Sequence, residues 1–230
     1  MTEYLAAAVL GAIVGMRRGR SSRRFISQLG TDLPVFDDKY VYWQSTAFIP
    51  AIAALGAIAG VALFWRFDFT IELLIFALLT SALVTQSIVD AVTHRLSRRI
   101  TMSTIILGVP LLIIAAIIRN DPGRLVVSFG CTALLFIAFL LLWMLSRGGI
   151  GGGDVRLVIV IGMYLGYLGA AFVLVAVLVA SVSAGLVALL LLIGRRATRT
   201  TRLAFGPYLA FGTLVSMMAG DWIARVWLGA

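Results

Sequence analysis

The chain is poor in the residues that build soluble and secreted proteins. It has 230 residues but a single cysteine, Cys131, and a single histidine, His94. One cysteine cannot pair within the chain, so a disulfide-stapled secreted domain is excluded. Charged residues make up only 13% of the chain, about half their usual share in soluble domains. Carboxylates are scarcer still, with ten Asp and Glu against 19 Lys and Arg. Such a chain is neither a soluble globular enzyme nor a disordered tail. What it has instead is apolar mass: 61% hydrophobic residues and a mean hydropathy of +1.06. The implied solvent is a bilayer. The formal charge of +9 would suggest nucleic acid as a partner in a soluble protein. In a membrane protein it first raises the question of sidedness, and no nucleic acid is expected.

About 20 apolar residues cross a hydrocarbon core about 30 Å thick. Apolar runs cover residues 3–16, 47–65, 69–92, 100–118, 125–145, 155–167, 170–194 and 205–228. Residues 157–194 carry no charge and would extend roughly 57 Å as one helix, nearly twice the core thickness. Two passes with a turn at 166–169 fit better. The expected fold is therefore all-α and polytopic, with about eight transmembrane helices. Residues 1–46 form a first transmembrane helix with a basic loop, and 47–230 a transmembrane core, within one membrane domain.

The cations sort across that topology. Arg17, Arg18, Arg20, Arg23, Arg24 and Lys39 follow the first run, and Arg95, Arg98 and Arg99 follow the third. Arg147 and Arg156 flank the fifth–sixth loop, and Arg195, Arg196, Arg199 and Arg202 follow the seventh run. Only Arg66, Arg119, Arg124 and Arg225 fall on the other side. The positive-inside rule then puts both termini outside and the basic loops in the cytoplasm. The first run carries its arginines after the apolar stretch, opposite to a signal peptide. Trp43, Trp65, Trp143, Trp222 and Trp227 lie near predicted span ends, where indole favours the interface. Gly11/Gly15, Gly56/Gly60 and Gly162/Gly166 are small-residue pairs that let helices approach closely. The long loop, 17–46, joins a basic first half to Asp32, Pro34, Asp37 and Asp38. Its arginines suit anionic lipid head groups.

Ten carboxylates can be taken one at a time. Glu3, Asp32, Asp37, Asp38, Asp68, Glu72, Asp121 and Asp221 are expected in loops or at outer span ends, where water holds the charge. Asp90 and Asp154 are different. Asp90 lies near the cytoplasmic end of the third run, behind Thr85, Gln86 and Ser87; Asp154 ends a glycine run where the sixth begins. Carboxylates at membrane depth are costly and mark functional sites. Two of them at one face, from separate helices, is what hydrolysis by an aspartyl pair requires. A helix N-terminus favours an anion, so Asp154 is expected as the base and Asp90 as the acid. Gly148, Gly149, Gly151, Gly152 and Gly153 suit a loop that main chain or substrate approaches closely. The residues alone also allow Asp154 as a helix cap and Asp90 as a partner of Arg95 or Arg98.

Three segments resemble the type IV prepilin peptidase family, polytopic aspartyl proteases of bacterial and archaeal membranes. Gly-Gly-Gly-Asp-Val-Arg-Leu at 151–157 is similar to its G-x-G-D motif. Asp90 with Thr93-His94-Arg95-Leu96 and Ile100-Thr101 resembles its other aspartate segment, and 205–212, with Gly206 and Pro207, its late FGP stretch. The resemblance implies Asp90 and Asp154 as catalytic residues and no metal or other cofactor. It also implies prepilin-like precursors as partners, cut just after a glycine at the cytoplasmic face of the bacterial cytoplasmic membrane. Ser97-Arg98 stands where the family usually has Pro-Asn. The larger members also methylate the new N-terminus and carry a cysteine-rich metal loop. Residues 17–46 contain no cysteine, which excludes a four-thiolate zinc site there, and methyltransferase activity is not expected. Two other readings stay open: a presenilin-type intramembrane protease, which shares G-x-G-D but has Tyr where Val89 stands and a later Pro-Ala-Leu, and a non-catalytic scaffold or transporter.

Overall fold

A computed structural model describes residues 2–29, 48–93, 96–146, 151–194 and 204–228. Within them every regular element is an α-helix: α1 (Thr2–Leu29), α2 (Phe48–Phe67), α3 (Ile71–Thr93), α4 (Arg98–Ile118), α5 (Gly123–Leu145), α6 (Gly152–Leu168), α7 (Ala170–Ile193) and α8 (Gly206–Leu228). The all-α expectation is met. Among the described residues five helices, α2, α3, α4, α5 and α7, are long and apolar enough to cross a membrane. The chain falls into two compact units, Met1–His94 and Arg95–Ala230.

In the first unit α1 and α2 are the most closely packed pair. Their approach depends on missing side chains: a Cβ on Gly15 would sit 2.5 Å from the Ile52 carbonyl, and one on Gly60 2.5 Å from that of Ala7. Gly11 and Gly56 face each other's carbonyls still more closely. The pairs read from the sequence are thus the seam itself. Tyr4, Phe64 and Phe69 stack edge to face at one end, with centroids 5.0 and 4.8 Å apart. α3 supplies the core of the unit, with Ile75, Phe76, Leu79, Leu83 and Val89 fully buried. The α2–α3 turn passes through Asp68 at φ 48°, a left-handed position that Asp tolerates.

One element differs from expectation. The sequence suggests a loop from residue 17, yet α1 continues unbroken to Leu29. Hydropathy marks where lipid contact would end. It does not mark where intrahelical hydrogen bonds end, and arginine is a good helix former. The acidic stretch with Asp32, Asp37 and Asp38 lies outside the described residues, as do Trp43, His94 and Arg95.

In the second unit α6 is the central helix, and most of its 17 residues are buried. It lies against α5 through Gly162 and Gly166, where a Cβ would come within 2.8 Å of the α carbons of Thr132 and Ser128. Ser128 Oγ closes the seam by donating to the Met163 carbonyl at 2.6 Å. α7 and α8 pair in the same manner: a Cβ on Gly212 would lie 2.8 Å from Ala180 N, and Ser216 Oγ donates to the Phe172 carbonyl at 2.6 Å. The long uncharged stretch does break, at Gly169 alone. Its φ of +144° is a backbone state that only glycine enters at little cost. Gly166 and Tyr167, expected within the turn, are buried in α6.

Candidate active site

Asp90 lies in the last turn of α3 and is 5% exposed. Gln86, one helical turn back on the same face, is almost completely buried, and so is Thr85, whose Oγ1 donates to the Ser81 carbonyl at 2.7 Å. Ser87 Oγ is buried with no hydrogen-bond partner. The end of α3 that carries Asp90 is therefore a dense polar patch on an otherwise apolar helix. Thr, Gln, Ser and Asp crowd there because the sequence breaks its apolar run at 85–87 and again at 90.

Asp154 belongs to the second unit and is 6% exposed. It is the third residue of α6, and its Oδ2 accepts from the Gly151 N–H at 3.2 Å. This is the reach-back half of a capping box, which satisfies one of the donors that a helix start leaves over. The cap reading of Asp154 is thus correct as local geometry, but it does not account for such complete burial. Caps usually sit in water, whereas this carboxylate sits in the helix that forms the core of its unit.

The glycines before it have separate jobs. A Cβ on Gly153 would meet Leu96 at 2.9 Å from its Cβ and 3.0 Å from its Cδ1. A Cβ on Gly152 would lie 3.8 Å from Trp143 Nε1, an ordinary contact. The close approach expected of this loop is thus made at Gly153, by the Leu96 side chain. Gly148 and Gly149 lie outside the described residues. Gly153→Ala is expected to lower any activity of Asp154 about tenfold or more, because the turn that carries it must shift. Gly152→Ala should stay within about twofold. Equal losses in parallel turnover assays would contradict this division.

Gly206 and Pro207 open α8, where the missing proline N–H costs no helical bond. Leu209 N–H returns to the Phe205 carbonyl at 3.1 Å, and the Phe205 ring lies 6.3 Å from that of Phe139 on α5. Cys131, half-buried on α5 against Gly166, behaves as a small apolar residue. Among the described residues no cluster of three His, Cys, Asp or Glu could hold a metal ion.

One carboxylate corrects the sequence reading. Glu72, expected at a wet outer end, is 3% exposed in the first turn of α3. Position within an apolar run carries no sign of such burial. Eighteen residues of helix, about 27 Å, separate Glu72 from Asp90, so the two cannot share one reaction centre. Burial therefore singles out three carboxylates among the described residues, Glu72, Asp90 and Asp154.

An all-helical, multi-pass membrane protein with a carboxylate buried at the end of each of two helices defines the class. Residues 77–190 match the type IV leader peptidase family, a stretch that contains both aspartates and stops before Gly206. The chain belongs to that family. It is 31% identical over 179 residues to the prepilin leader peptidase/N-methyltransferase of Bacillus subtilis, covering 76% of this chain and 66% of the relative. It is 26% identical over 164 residues to that of Pseudomonas aeruginosa, covering 71% and 56%. With the Legionella pneumophila protein it shares 24% over 180 residues, covering 78% and 62%. The chain thus spans about 56–66% of the length of these relatives. No solved structure matches it.

Proposed function

We propose that this chain is an aspartyl endopeptidase that removes the basic leader from type IV prepilin-like precursors. The observation that carries the reading is the burial of Asp90 and Asp154 at helix ends inside the stretch that matches the leader peptidase family. In this proposal one carboxylate takes a proton from a water molecule whose oxygen attacks the scissile carbonyl carbon. The other carboxyl group protonates the departing amide nitrogen, and the carbon–nitrogen bond breaks. The Gly151 N–H bond holds Asp154 Oδ2 in place at the start of α6, and the proposal assigns Asp154 as the base and Asp90 as the acid. No metal takes part in this scheme.

The proposed setting is the bacterial cytoplasmic membrane, crossed eight times with both termini outside, so that the aspartates work at the cytoplasmic face beside the basic loops. Anionic lipid head groups are the proposed neighbours of those loops. The methyl transfer named for the relatives is not part of the proposal.

Asp90→Asn and Asp154→Asn, made separately and co-expressed with a prepilin-like precursor, test it. Each should leave the precursor at its uncut mobility, while the unaltered chain converts it. Normal processing by both variants would overturn the assignment. N-terminal sequencing of the product distinguishes a leader peptidase, which cuts after the leader glycine, from a presenilin-type enzyme, which cuts within an apolar segment.

A further inference from the structure

The basic cluster on α1 holds one arginine unlike its neighbours. Arg17 and Arg20 are exposed, whereas Arg18 is half-buried and its guanidinium donates to Ser81 Oγ on α3 at 3.3 Å. Ser81 stands ten residues into α3, roughly 15 Å from its start. The charge is therefore held beside apolar helix, away from either end of α3. An arginine in such a place needs a reason.

A cleft of about 130 Å³ opens beside it, between α1, α2 and α3. Its α1 wall runs from Ala7 to Arg18, eleven residues or about 16 Å. Small residues, Gly11, Gly56, Gly60 and Ala77 among them, line its walls. Its lining is apolar apart from Arg18, Ser81 and Thr80. Thr80 is 5% exposed, and its Oγ1 has no hydrogen-bond partner. An unmatched buried hydroxyl next to a cation, at one end of a narrow apolar channel, describes an amphiphile in negative.

We propose that this cleft binds one anionic phospholipid. Its phosphate pairs with Arg18, an ester carbonyl accepts from the Thr80 hydroxyl, and one acyl chain lies along the channel towards Ala7. In a bilayer an acyl chain gains nothing from leaving water. Retention must come from close contact with the channel walls and from charge. A choline cation beside the Arg18 guanidinium would offset the pairing with phosphate, whereas an uncharged glycerol head would not, so head-group charge becomes the discriminating feature. This inference is independent of the peptidase reading, since it concerns only the first three helices and needs neither aspartate.

Native mass spectrometry of the full chain in detergent, with phosphatidylglycerol or phosphatidylcholine of identical acyl chains, tests it. One phosphatidylglycerol should be retained, about five- to tenfold more strongly than phosphatidylcholine. Arg18→Gln should abolish that preference, and Arg17→Gln should leave it intact. Filling the channel with Ala77→Leu, or with Ala59→Leu if the first variant does not fold, should lower retention of both lipids. Thr80→Val, which keeps the shape, should weaken retention about threefold. Millimolar inorganic phosphate should not displace the lipid. Equal retention of the two lipids by the unaltered chain would overturn the site. Equal losses from Arg17→Gln and Arg18→Gln would replace it with diffuse surface charge. Full retention by a folded channel-filled variant, or displacement by phosphate, would reduce it to a head-group contact.

Discussion

Asn at Asp90 and Asp154 together is expected to cost no more activity than Asn at either position alone. Each single variant should fall about 10³–10⁴-fold in kcat/KM, and the double variant should stop at the same floor. Groups that act as one unit in proton transfer are strongly non-additive, because removing the first already disables the step that the second serves. Independent sites would instead multiply. The substitution is mild for the fold: an amide oxygen at position 154 can still accept from the Gly151 N–H, now 3.2 Å from Asp154 Oδ2. Asp121→Asn is the control. Its carboxylate pairs with Arg124 at 3.0 Å in a half-exposed setting, and a surface pair of this kind contributes at most about 1 kcal/mol. Turnover of a purified precursor, alongside helicity measured by circular dichroism, checks the result. Two single losses that multiply in the double variant would show that the aspartates do not act as a pair.

Gly162→Leu is expected to destabilise the protein by about 3 kcal/mol or more, enough to prevent its accumulation in the membrane. A Cβ there would lie 2.8 Å from Thr132 Cα and 3.3 Å from the Cys131 carbonyl. Backbone cannot swing aside as a side chain can. α5 and α6 would have to part, breaking the 2.6 Å hydrogen bond from Ser128 Oγ to the Met163 carbonyl and leaving the buried Ser128 hydroxyl without its acceptor. Gly185, in the middle of α7, has nothing within 4 Å of a built Cβ. Gly185→Leu should therefore be tolerated, and Gly185→Ala should stabilise by about 0.5–1 kcal/mol through helix propensity. Thermal unfolding in detergent separates the two glycines, and similar midpoints for the two leucine variants would contradict the packing described.

The two glycines also show how far a sequence can be read. Both sit in apolar helical stretches, and the local mark that separates them is Gly166 four residues after Gly162, since Gly185 has no glycine at that spacing. The pairs Gly11/Gly15 and Gly56/Gly60 were legible because i, i+4 spacing puts small residues on one face. Which helix meets that face was not. Asp154 was legible for a similar reason, as an acid at the start of an apolar run after three glycines, but the Leu96 side chain that makes Gly153 necessary comes from 57 positions earlier. Glu72 failed in the opposite direction. Its place at the start of a helix looked wet, and tertiary packing covered it.

Hydropathy reports the cost of leaving water and is indifferent to whether lipid or protein takes water's place. Composition and charge order could therefore determine the solvent, the all-helical class and the break near residue 169. They also drew attention to Asp90 and Asp154, because a carboxylate stands out against an apolar background wherever that background comes from. Only tertiary structure decided that α6 is wrapped by protein while α5 leaves most of its apolar surface uncovered. It likewise decided that α1 runs on to Leu29, that Glu72 is buried, and that Arg18 turns into a cleft while Arg17 does not. Each of those outcomes depends on which neighbour arrives from elsewhere in the chain, and a neighbour's arrival leaves no mark on local sequence.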